Sequence, residues 1–334
     1  MRHSVAQPNT PLVTGIYTAD PSAHVFDGKI YVYPSHDLGN DKEDDGSGDH
    51  FWMEDYHVFS LESLDAEAVD EGEVLHVKDV PWASEQMWAP DAATKNGTYY
   101  FYFPAKDKDG IFRIGVAVGD SPAGPFTPEP DYMAGTFTID PAVFVDDDGR
   151  AYLYVGGLWG GQLEKWQTGE FVDAPGLSAG EDGPQGDEPA LLPYAAELNE
   201  DMVSLAEPLR TIEIRDENGE PLKASDTDRR FFEGSWVHKF NGKYYFSYST
   251  GDTHYLVYAE GETPLGPFTY KGRILEPVLG WTTHHSIVEI DGTWCLFYHD
   301  SELSGGKTQL RNIKYTPLEI AEDGTITTVT PAVQ

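Results

Sequence analysis

Apolar residues in this chain seldom recur at helical spacing. They come in short β-rich runs, paired across a turn that carries glycine, which is the pattern of a β-hairpin. Five such units stand out: ADPSAHVFDGKIYVYPSHD, WAPDAATKNGTYYFYFPA, IDPAVFVDDDGRAYLYVGG, FEGSWVHKFNGKYYFSYSTGD and THHSIVEIDGTWCLFYHD. Their turn glycines are Gly28, Gly97, Gly149, Gly242 and Gly292, each preceded by Asp or Asn. These dipeptides accept the positive φ angles of a tight hairpin turn. Two further segments, IGVAVGDSPAGPF from Ile114 and LVYAEGETPLGPF from Leu256, each follow a hairpin and read as a third strand with an outer loop.

Units of about fifty residues or more, each with three or four strands, describe propeller blades. A blade cannot bury both faces alone, so the pattern predicts an all-β chain. The expected fold is one five-bladed β-propeller over residues 1–334, with the site at one end of its central channel. A β-sandwich or a two-domain chain would not repeat one hairpin from first blade to last. Between the third and fourth units, GEDGPQGDEP reads as a loop insertion and TIEIRDENGEPL as another hairpin. Residues 37–49 read as a solvated loop.

Composition narrows the partners. The formal net charge is −35, from 57 acidic against 22 basic residues, a field that repels phosphate backbones and anionic membranes. Neither nucleic acid nor membrane is therefore an expected partner. The acid excess suits solubility and a salt-rich habitat equally. The single cysteine, Cys295, lies in the strand pattern TWCLFY and reads as a buried thiol. Residues 1–15 show no apolar stretch of a leader peptide, so the expected location is the cytoplasm. Oligomeric state is left open, a symmetric homo-oligomer being compatible with the chain.

Counting back from the turn glycines exposes the chemistry. Eight residues before Gly28 and Gly292 stand Asp20 and His284; nine before Gly149 and Gly242 stand Asp140 and Glu233. The second unit has Trp88–Ala89–Pro90–Asp91 there. In a propeller the start of each inner strand converges on the axis, so these residues meet at one end of one cavity. Any one of them alone is an ordinary turn former; together they form a site. Paired carboxyls suit glycoside hydrolysis, one protonated to serve the leaving oxygen and one ionised to activate water.

These segments resemble glycoside hydrolase family 43, from about Gly15 to Thr316. The resemblance rests on Thr18–Ala19–Asp20–Pro21–Ser22, Trp88 to Asp91, Ile139–Asp140–Pro141 and Phe232–Glu233–Gly234–Ser235–Trp236. It implies a five-bladed propeller and an inverting mechanism. Asp20 would be general base, Glu233 general acid, and Asp140 the carboxylate that tunes and orients the acid. An inverting pair stands roughly 6.5–9.5 Å apart.

It further implies that His284 ligates a single Ca2+ and that Arg311 contacts sugar hydroxyls. Trp88 is the expected sugar platform, and His36 and Asp37 are candidate pocket residues. The implied reaction is exo-acting β-1,4-xylosidase action on short xylo-oligosaccharides from xylan. α-L-Arabinofuranosidase activity, alone or alongside it, and endo-arabinanase action are alternatives. A non-catalytic sugar-binding propeller is the alternative of another class.

Overall fold

The computed structural model describes residues 6–173 and 183–331. The five hairpin units become the inner strand pairs of five sheets. The first blade comprises Tyr17–Phe26, Lys29–Asp37, Asp55–Leu61 and Val69–His76. In the second, Asp91–Lys95, Thr98–Asp107, Phe112–Gly119 and Thr127–Pro128 are joined by Ala83–Glu85, which pairs with the far end of Thr98–Asp107. The third holds Ala142–Val145, Ala151–Val155, Tyr194–Glu197 and Arg210–Thr211. The fourth holds Glu233–Phe240, Lys243–Ser249, Leu256–Gly261 and Phe268–Leu275; the fifth, His285–Ile290, Thr293–Asp300 and Asn312–Pro317. Each inner strand packs against that of the next blade, and the fifth returns to the first. The fold is the five-bladed β-propeller that the repeat predicts.

The turns explain the regularity. Asp27–Gly28, Asn96–Gly97, Asn241–Gly242 and Asp291–Gly292 all have φ between +49° and +79° at both positions. Such turns match the right-handed twist of the strands they join. The third unit carries an additional Asp and closes differently. The Asp146 N–H donates to the Arg150 carbonyl around Gly149, and the ladder resumes at Val145 and Ala151.

The core lies between blades, where aromatic rings of adjacent sheets interdigitate. Tyr33 and Tyr56 of the first blade pack with Phe101 and Phe103 of the second, all nearly fully buried. Tyrosine hydroxyls then bond from blade to blade. Tyr33 donates to the Pro122 carbonyl at 2.6 Å and Tyr154 to the Pro264 carbonyl at 2.6 Å. Both acceptors sit in the paired Pro-Xaa-Gly-Pro-Phe turns of the second and fourth blades. A buried Tyr needs such a partner. Cys295 is buried among Phe297, Ile313 and Tyr315, and burial pushes its thiol up to about 11.

Both ends of the described chain latch the ring. The Asn9 N–H donates to the Tyr315 carbonyl at 2.7 Å and the Leu12 N–H to the Ile313 carbonyl at 2.9 Å, giving the three-stranded fifth blade an outer edge. At the other end, the Val329 N–H donates to Ile274 of the fourth blade at 2.7 Å.

One expectation is refined. The segment TIEIRDENGEPL folds back as a short hairpin, but it is not confined to one blade. Arg210–Thr211 ends the third blade, while Ile214–Arg215 pairs in parallel with Phe268–Leu275 at the edge of the fourth. The chain thus crosses between blades here and then turns back on itself through the Arg215–Pro221 bridge, with the Asp216 N–H donating to the Glu220 carbonyl at 2.8 Å and the Leu222 N–H to the Ile214 carbonyl at 3.3 Å. The stretch GEDGPQGDEP lies partly outside the described residues. Among the described residues, no helix is long and apolar enough to cross a membrane.

Candidate active site

Three blades deliver one acid each to the axis, and all three positions are backbone irregularities. Asp20 has φ +51° at a bulge between Ala19 and Ser22; Asp140 has φ +57°; Glu233 opens a bulge ending at Trp236 and precedes Gly234 at φ +73°. Left-handed φ at a non-glycine residue costs of order 1–3 kcal/mol and persists where the surroundings hold it. They do so here. The Asp20 N–H donates to His299 Nδ1 at 3.0 Å, and His299 Nε2 lies 3.0 Å from the Thr282 carbonyl. This sets the imidazole as neutral with its proton on Nε2. Around Asp140, Ile139 fills the space over Gly157 and Gly161, where any Cβ would lie within 2.4–2.7 Å of the isoleucine.

The electrostatics divide the acids. Burial raises the Asp20 carboxyl, but Arg311, His299 and His284 and a 2.6 Å hydrogen bond from Ser35 outweigh it, holding Asp20 at about 2. Burial, then the nearby Asp20 charge, push Glu233 up to about 8. Asp140 is also raised well above the carboxylate range, by burial and by repulsion from Glu233. Asp140 and Glu233 together therefore keep a proton at neutral pH. The Gly234 N–H donates to Asp140 Oδ2 at 2.9 Å, which favours an ionised Asp140. No hydrogen bond from a described residue reaches the Glu233 carboxyl, so the proton belongs there.

Arg311 organises the other side. Its Nε and Nη2 fork onto Asp37 at 2.8 and 2.7 Å, and its Nη1 reaches Asp20 Oδ1 and Thr282 Oγ1, both at 3.1 Å. Four of five guanidinium N–H groups are thereby engaged, leaving one for a sugar hydroxyl. Arg311 thus holds Asp20 more than it meets substrate. Burial pushes Asp37 up, and the charge and hydrogen bonds of Arg311 pull it back.

The axial cavity, about 170 Å³, is lined by Asp20, Asp140, Glu233, His284, Arg311 and Trp88 from the sequence analysis. Two residues of that analysis are absent. Asp37 is fully buried behind Arg311, so it supports the arginine instead of bordering the pocket. His36, its neighbour on the strand, faces the other side and bonds Asp55 at 2.5 Å. The same alternation separates His284, in the cavity, from His285, which bonds Ser247 Oγ at 2.6 Å. Trp88 lines the cavity, but its ring is wedged beneath Gly48 and Gly160 and against Phe112.

Better-placed aromatics come from the connections between strands. Trp159 and Trp281 stack with centroids 5.5 Å apart, and Phe232 meets both edge-on. Their sequence signal is a tryptophan beside glycine, in GLWGG and LGWTT. Residues 37–49 are likewise more than a solvated loop, since Asp44, Gly46 and Gly48 line the cavity. Asp91 of the second blade sits below it. Its carboxylate accepts from the Val143 N–H at 2.6 Å and pairs with His24 Nε2 at 2.6 Å, tying three blades together.

A propeller whose axis gathers three carboxyls of opposed proton affinity, two buried and the third partly exposed to the cavity, is a glycosidase. The model of glycosyl hydrolases family 43 matches residues 11–326. Xylosidase/arabinosidase 43A of Humicola insolens is 61% identical, over 96% of this chain and 99% of its own length. A xylosidase/arabinosidase of Bacteroides ovatus is 54% identical, over 95% and 96%. Among solved structures, a family 43 β-xylosidase/α-arabinofuranosidase from a compost microbial metagenome, in complex with xylotriose and in calcium-free form, superposes with TM-score 0.96. It is 59% identical, over 98% of this chain and 99% of that one. The chain belongs to glycosyl hydrolases family 43.

Proposed function

We propose that the protein is an inverting, exo-acting β-xylosidase that also releases α-L-arabinofuranose. The observation that carries this reading is the division of the acids, an ionised Asp20 facing a protonated Glu233 across a cavity of about 170 Å³. Asp20, held ionised by Arg311, takes a proton from water as that water attacks the anomeric carbon. Glu233 gives its proton to the departing oxygen. Asp140 fixes the Gly234 amide and, by repulsion, keeps the proton on Glu233. The small cavity supports release of one terminal sugar over the within-chain cleavage of endo-arabinanase action. Relatives that bear the double name xylosidase/arabinosidase support the second activity.

Kinetics with 4-nitrophenyl β-D-xyloside and 4-nitrophenyl α-L-arabinofuranoside test this. Both are expected to turn over, the xyloside with the higher kcat/KM, and xylotriose to lose xylose from one end. Failure on both aryl substrates overturns the reading.

Calcium fits His284. Both of its ring nitrogens are buried without a hydrogen-bond partner, and Nε2 lies 3.7 Å from Asp140 Oδ2. A site with one imidazole must take its other ligands from water, because calcium prefers oxygen. Bound there, the ion would supply positive charge beside the three carboxyls. Chelator is expected to lower kcat/KM and Tm, and calcium to restore both, in wild type but not in His284→Ala. Indifference of wild type to chelator sinks the assignment.

A further inference from the structure

His36, which takes no part in the axial cavity, belongs to a second cluster on the first blade. Its Nδ1 lies 2.5 Å from Asp55 Oδ1, and His57 Nε2 lies 3.9 Å from Asp55 Oδ2. One donor atom from each of the three residues falls within 4.8 Å of the others. The strands build this without insertion. Asp55 and His57 alternate onto one face of Asp55–Leu61, and His36 comes from the neighbouring strand Lys29–Asp37. The three side chains are 13–19% exposed, sheltered yet open to an incoming ion.

The outer contacts favour a metal. Asp70, on the next strand, meets His57 Nδ1 at 2.9 Å through Oδ1 and 3.1 Å through Oδ2. A carboxylate on one ring nitrogen fixes the tautomer and turns the lone pair of the other toward a ligand, the usual arrangement behind a metal-bound histidine. Here that other nitrogen, Nε2, points at the carboxylate shared with His36. Tetrahedral zinc ligands at about 2.0–2.2 Å stand roughly 3.3–3.5 Å apart, and the contacts of 2.5 and 3.9 Å bracket that value. Small side-chain shifts would close it.

We propose that His36, Asp55 and His57 bind a divalent transition metal, zinc being the cation that two imidazoles and one carboxylate suit best, with Asp70 as the outer partner of His57. Calcium, which takes six to eight oxygens, is a poor match, so this site is chemically distinct from the one at His284. The metal staples neighbouring strands at the end where the chain continues into Asp37. Because Asp37 grips Arg311 on the opposite face, the staple supports from behind the arginine that holds Asp20.

Titration of untagged, metal-free protein with zinc chloride at pH 7.5, in calcium-containing buffer, tests the proposal. One zinc per chain is expected, with a Tm rise of about 3–5 °C at a hundredfold excess over Kd. His36→Gln and His57→Gln should each abolish both effects. Asp70→Asn, a half-exposed change with little bearing on folding, should weaken zinc about 10–100-fold. His284→Ala should leave zinc binding intact. Cobalt in place of zinc should give visible ligand-field bands that vanish in His57→Gln. Zinc binding that is absent, or that survives in both histidine variants, overturns the proposal.

Discussion

Glu233→Gln is expected to lower kcat on xylobiose by about 10³–10⁴-fold, the scale on which a positioned general acid acts. On 4-nitrophenyl xyloside, whose leaving group needs little proton assistance, the loss should be no more than about tenfold. The pH profile supplies the sharper readout. Glu233 must be protonated to act and releases its proton near 8, so wild-type kcat/KM should fall as pH rises through that value. The fall should be missing in Glu233→Gln. If it persists there, another group carries the proton. Stability moves in the opposite sense. A carboxyl raised from 4.5 to about 8 on folding makes the native state progressively less favourable as pH climbs between those values. Glu233→Gln should therefore raise Tm at pH 8 and change it little at pH 4.

Arg311→Met should cost about 3–5 kcal/mol of stability at pH 7, because it strands Asp20 and Asp37 as buried charges without a cation. Urea unfolding measures this, and adding Asp37→Asn should recover part of the loss. With Arg311 present, Asp20 is depressed from 3.8 to about 2, which contributes about 2 kcal/mol above pH 4 and is lost as pH falls through 2. Without the arginine, the Asp20 carboxyl rises, and the acid limb of kcat/KM should move to higher pH. Activity at pH 7 should fall at least about 100-fold, given the base's dependence on its charge. Arg311→Lys keeps the charge but cannot span the Asp37 fork and Asp20 together, so it should fall between wild type and Met. An unmoved acid limb in Arg311→Met would show that Asp20 is not governed by this arginine.

Much of this architecture was legible because one local signal repeats. Asn-Gly and Asp-Gly demand a particular turn, and that turn fixes the register of both strands, so counting from the glycines lands on the axis. The count changes from eight to nine where the third turn is longer, and in the fourth blade because Glu233 is the last paired residue before its bulge, whereas Asp20 lies within the equivalent bulge of the first. The roles of Asp37 and His299 were not legible. Each acts through one partner more than 270 residues away, and strand alternation alone does not say which face meets that partner. His36 and Asp37 were adjacent candidates for one pocket, yet adjacency in a strand puts them on opposite sides. Trp159 and Trp281 were missed for another reason: one opens a single 3-10 turn and the other stands on a loop, where no period predicts direction.

The latch between residues 9–12 and the last strand has a consequence for how the enzyme becomes active. Arg311 and Asp20 are separated by 291 residues, and the segments that carry them are neighbours only because the ring is shut. A nascent chain holding four finished blades has every carboxyl of the site but no cation to keep Asp20 ionised. Catalytic competence therefore arrives in one late step, with the fifth blade and its closing strand. That step requires the longest loop in the molecule to be closed, the slowest kind of contact to form.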